Sequence, residues 1–100
     1  MSNIAIVRDS IRIIKPKYYA AIQKAVTGPD PLEALDRIEE NLIEVYHTLY
    51  KQSNTQLIKK EVRVFYTELT NYICMARDRE KEKRPALLPE VLEIVKGVEE

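Results

Sequence analysis

The sequence is poor in the residues that usually carry chemistry. It has no Trp, one Phe, one Cys, one His and two Gly among 100 residues. A lone cysteine, Cys74, excludes an intrachain disulfide, so nothing favours an oxidising compartment and the chain reads as cytoplasmic. One Cys and one His cannot supply the spaced ligands of a zinc site, and no Gly-rich phosphate loop occurs. Scarce Gly removes the punctuation that short-stranded folds need. No stretch approaches the ~18 consecutive apolar residues of a membrane span. Arg8 and Arg12 interrupt the N-terminal apolar segment, unlike the core of a signal peptide. Sixteen basic and 16 acidic residues cancel to a net charge of zero, so no global field draws the chain onto nucleic acid or membrane.

What is present is helical punctuation and helical period. Apolar residues make up 45% of the chain, enough for one core. Gly28-Pro29-Asp30-Pro31 breaks whatever precedes it. Asp30 is a good N-cap, Pro31 fits the first helical position, and Glu33 completes a capping-box spacing. Leu35, Ile38, Leu42, Val45 and Leu49 then recur at alternating spacings of 3 and 4, which predicts a helix over 31–52. A second seam runs through Ile58, Val62, Phe65, Leu69, Tyr72 and Ala76. It is out of phase with the first, so the chain turns near Gln52-Ser53-Asn54-Thr55 into a second helix over 55–84. Short connections join antiparallel neighbours, and the expected centre is an αα-hairpin. One long kinked helix is the competing reading.

Ile4, Val7, Ile11 and Ile14 predict a helix over 3–14, although Ile4-Ala5-Ile6-Val7 is β-branched enough to be a strand. Pro16 interrupts, and Tyr18, Ile22, Ala25 and Val26 predict a second helix over 16–27. Pro89 opens a last short helix over 89–97 with Leu92 and Val95. The expected architecture is all-α: residues 1–100 as a single helical domain, a small bundle built on the central hairpin with flanking shorter helices.

Catalysis, metals and cofactors find no support. Glu44 and His47 have the Glu-x-x-His spacing of half a di-iron site, but they project away from the Leu35–Leu49 seam. Cys74 lies mid-helix with no strong source of a lowered pKa. No catalytic residue, metal or cofactor is expected, and the chain reads as a non-enzyme.

The charges and aromatics say more. Net charge alternates in blocks: +3 over 1–30, −3 over 31–52, +3 over 53–84 and −3 over 85–100. Glu61 and Glu68, seven apart, lie inside the broad apolar arc of the 55–84 helix, where an unpaired charge is expensive. Either an ion pair to the basic N-terminal segment or an intermolecular contact accounts for them. The opposite face presents Lys59, Lys60, Arg63 and Arg77 with hydroxyl side chains between, a strip able to track a phosphate backbone. Arg8, Arg12 and Lys15 form a second row. No aromatics interleave these cations, so base stacking is not indicated.

The apolar arc of the 55–84 helix spans about 200°, more than one antiparallel neighbour covers. The excess, with Tyr46, Tyr50, Tyr66 and Tyr72, predicts an interface. Two functions are therefore expected in order. The first is a protein–protein interaction module, a homo-oligomer or small subunit of a larger complex. The second is a nucleic-acid-associated accessory protein using Lys59, Lys60, Arg63 and Arg77. Lys15-Pro16-Lys17-Tyr18-Tyr19 and Leu87-Leu88-Pro89-Glu90 look like fragments of the helical domain of archaeal GINS replication subunits. They are too short to carry over a function or a residue role.

Overall fold

The computed structural model describes residues 3–83 and 89–99. They form four helices, α1 (Asn3–Val26), α2 (Pro31–Gln52), α3 (Gln56–Glu82) and α4 (Pro89–Glu99), with no strand among them. The first three pack pairwise against one another as an up-down-up bundle around the α2–α3 hairpin. The architecture is the expected small all-α bundle.

The punctuation acts as its chemistry dictates. Asp30 accepts a hydrogen bond from the Glu33 backbone N–H at 3.3 Å, capping α2 behind Pro31. At the turn, Ser53 is buried. Its N–H donates to the Tyr50 carbonyl at 3.1 Å, and its hydroxyl donates to the Leu49 carbonyl at 2.8 Å. Thr55 Oγ1 then accepts from the Ile58 N–H at 3.3 Å and starts α3. One backbone bond and two side-chain bonds thus replace the Gly or Pro the turn lacks. The long-helix reading fails here.

Residues 4–7 are helical, so the strand alternative also fails. The expected break at Pro16 is corrected too: 3–14 and 16–27 are one helix. Pro16 removes the donor to the Arg12 carbonyl, a loss of about 3 kcal/mol in a helix interior. Val7, Ile11, Ile14, Tyr18, Ile22 and Ala25 nevertheless keep one 3.6-residue period across it. All of them pack in or against the core. Burial on both sides of the proline outweighs the missing bond.

The core comprises Val7, Tyr18, Ile22 and Ala25 from α1, Leu35, Leu42 and Leu49 from α2, and Ile58, Val62, Phe65, Leu69 and Ile73 from α3. The expected α3 seam therefore needs one change of register. Ile73, fully buried, replaces Tyr72 at its C-terminal half. A straight helix repeats every 3.6 residues rather than 3.5, so a heptad seam drifts around it within three turns.

α4 stands apart. Among the described residues it packs on none of the other three helices. No helix among the described residues is long and apolar enough to cross a membrane.

Candidate interaction surface

The bundle consumes most of what the sequence marked as interface. Between α2 and α3, the Tyr46 ring lies 4.5 Å from Tyr66 and 5.7 Å from Tyr50, centroid to centroid, each pair tilted by 36°. On the α1 side, Tyr72 meets Tyr19 edge-to-face at 4.9 Å. All four candidate interface tyrosines are half-buried against the core. Their amphipathic rings line the seams between helices, with the hydroxyl end free to reach outward. Tyr18, deeper still, donates its hydroxyl to Asn41 Oδ1, and burial raises its pKa.

Glu61 and Glu68 are likewise engaged within the chain. Arg8 forks onto Glu61, Nη2 to Oε1 at 2.7 Å and Nε to Oε2 at 2.8 Å, and Lys15 pairs with Glu68. Both pairs join α1 to α3 and repeat at seven-residue spacing on each helix, so one heptad step carries one pair onto the next. The hydrogen bond from Arg8 holds the Glu61 carboxyl below its ordinary pKa. The bond to Glu68 raises that of Lys15. Of the two accounts the sequence left open for these acids, the bridge to the N-terminal segment is the one the structure contains.

The basic strip is divided. Arg77 is turned onto α2, where Nη2 donates to Asp36 at 2.8 Å and to Glu39 at 3.3 Å. Burial would lower its pKa, but Glu39 and Asp36 together more than offset that and raise it. Lys59 sits with Nζ 5.5 Å from the centroid of the Tyr50 ring. Lys60 and Arg63 remain exposed, with no ion pair among the described residues. A backbone-tracking row of four cations is thus reduced to two. Glu44 and His47 are both exposed, as their spacing implied, and His47 meets Tyr46 edge-on at 5.4 Å. No group of three potential metal ligands occurs among the described residues. Cys74 is an exposed thiol.

Aliphatic side chains, not tyrosines, are what the bundle leaves uncovered. Leu57, Val64 and Met75 line one edge of α3, exposed by 58%, 47% and 55%. Ile6 and Ile13, seven apart, stand on the outer face of α1. Leu57 and Val64 line a groove of about 340 Å³ between α1 and α3, together with Ile11, Phe65, the cations Lys15 and Lys60 and the carboxylates Glu61 and Glu68. On α4, Val91, Ile94, Val95 and Val98 fall at i, i+3, i+4 and i+7. All are exposed, Ile94 by 73% and Val98 by 83%. The signal for these positions was in the sequence: Leu57, Val64 and Met75 lie on the outer flank of the α3 arc, beyond the Glu61/Glu68 row.

These features define a small three-helix bundle carrying a detached amphipathic helix. No protein-family model matches the chain, and neither a curated protein nor a solved structure is significantly similar to it. The two fragments that look like GINS subunits gain no support from these comparisons.

Proposed function

We propose that the protein is a non-enzymatic helical interaction module that associates through α4 and the aliphatic edges of its bundle. The observation that carries this reading is α4 itself. An isolated helix shorter than ~12–15 residues is marginal in water, and α4 has 11 residues, including Gly97 and three valines. Among the described residues its apolar side chains Val91, Ile94, Val95 and Val98 stay exposed. A helix of this kind gains its stability from what it docks against.

The energies set the scale of that docking. Burying a Val or Ile side chain contributes about 1.5 kcal/mol at the low end, the value suited to side chains already partly shielded by their own helix. Four of them give about 6 kcal/mol, close to the lower bound of the ~4–15 kcal/mol lost in freezing two molecules together. One docked stripe is therefore weak, and a stable partner must add further contact. In the cytoplasm proposed for it, Cys74 stays a thiol and takes no part.

The test is the native mass of the chain in extracts of the cells that make it. A mass above 11.7 kDa that returns to the monomer value in an Ile94→Asp/Val98→Asp variant supports the reading. Elution at monomer mass with or without those substitutions removes it.

A further inference from the structure

The groove over Leu57 and Val64 and the stripe of α4 fit each other. Leu57 and Val64 are seven residues apart on α3, and Val91 and Val98 are seven apart on α4, so two helices laid side by side would bring both pairs into register. Their signs also match. Glu61 and Glu68 at the groove are neutralised by Arg8 and Lys15, whereas α4 carries Glu90, Glu93 and Glu99 against Lys96. Lys60, exposed beside the groove, has no ion pair among the described residues, and Glu90 flanks the α4 stripe.

Chain length decides whose α4 can occupy that groove. At 1.5 Å per residue, Val64 lies about 28 Å along α3 from Lys83. The chain from Lys83 to Val91, with its linker fully stretched, spans at most about 25 Å, before any sideways offset between helix axes. Placing Val91 beside Leu57 instead needs still more. A protomer cannot lay its own stripe across both Leu57 and Val64. A second copy can.

We propose that α4 of one copy docks in the α1–α3 groove of another, over Leu57 and Val64, and that the exchange is reciprocal. The proposal rests on the interaction reading above and names its partner. Reciprocity supplies the extra contact a single stripe lacks, because two apolar dockings are set against one loss of translational freedom. Glu90 meets Lys60 at the rim of each groove.

Sedimentation equilibrium of the purified full chain under reducing conditions tests this, with two variants at exposed positions. Ile94→Gln/Val98→Gln removes the stripe, and Leu57→Gln/Val64→Gln removes the groove. Gln keeps the helix propensity, and circular dichroism checks each fold. The wild type is expected to be a dimer, and each variant to dissociate at least tenfold more readily. An equimolar mixture of the two should associate more tightly than either alone, because the heterodimer keeps one intact stripe–groove contact. Lys60→Glu should weaken the wild-type dimer without touching the apolar contact. A monomeric wild type, or a mixture no tighter than its components, overturns the proposal. The purified chain would then be monomeric while the extract test still stood, so failure of the second-copy partner is distinguishable from failure of the interaction reading.

Discussion

Leu42 and Ile43 are neighbours on α2, and their truncation should separate core from surface in one comparison. Leu42 is fully buried where α2 faces both other helices, whereas Ile43 is 37% exposed on the outer flank. Leu42→Ala removes its transfer free energy and leaves a cavity that three packed helices fill only in part, a cost of about 3–5 kcal/mol. Against a stability of roughly 5–15 kcal/mol for a domain, that is a large fraction. At about 4–8 °C per kcal/mol for a domain of this size, the melting temperature should fall by at least ~12 °C. Ile43→Ala loses partial contacts but gains helix propensity, and should cost less than about 1 kcal/mol. Thermal and urea melts by circular dichroism, at one protein concentration, measure both. Two variants within about 1 kcal/mol of each other would refute the placement of the core.

Pro16 is exposed, so Pro16→Ala opens no cavity and restores the donor to the Arg12 carbonyl; the melting temperature should rise, by up to about 3 kcal/mol of stability less the entropy proline removes from the unfolded chain. Glu61 has its pKa lowered by Arg8, so its contribution is present above the ordinary value of about 4.3 and is lost as pH falls through the lowered one; acid melts should decline less steeply in Glu61→Gln than in the wild type. Lys15 is raised by Glu68, so its contribution is present below about 10.4 and lost as pH rises above it; alkaline melts of Lys15→Met should lose that slope. Gly97 has open space where a Cβ would project, and Gly97→Ala should stabilise each α4 by about 0.5–1 kcal/mol and, with two α4 helices docked per dimer, tighten association about five- to thirtyfold, read by sedimentation.

Most of the hairpin was legible because its signals are local. Asp30, Pro31 and Thr55 cap and start helices through bonds that span three residues, and the phase slip between Leu49 and Ile58 records a change of axis. What local pattern misses is whatever a distant helix decides. Pro16 breaks a helix in a peptide, but a stripe running from Val7 to Ala25 over one bundle face holds it straight through. Tyr72 and Ile73 are adjacent and both apolar, and only the position of α1 decides which turns inward. Arg77 belongs by spacing to a cationic strip, yet Asp36 and Glu39 on the next helix draw it away. Pairwise charge across helices has no signature along one chain beyond the sign of each block.

The apolar arcs of α2 and α3 looked too wide for the chain because α1 was counted as two short helices. As a single 24-residue helix it lies along both partners and engages Tyr72, Glu61 and Glu68, while Tyr46, Tyr50 and Tyr66 close on one another between α2 and α3. The exposed apolar surface therefore lies further out, on aliphatic side chains beyond the ion pairs and on the described side chains of α4. Aromatic seams and forked ion pairs specify one arrangement of three helices, since each needs a defined orientation. Exposed Leu, Val and Met on a flat edge specify little by themselves. In the proposed dimer they acquire a partner through spacing and sign, since α4 has the same seven-residue step and Glu90 stands to meet Lys60.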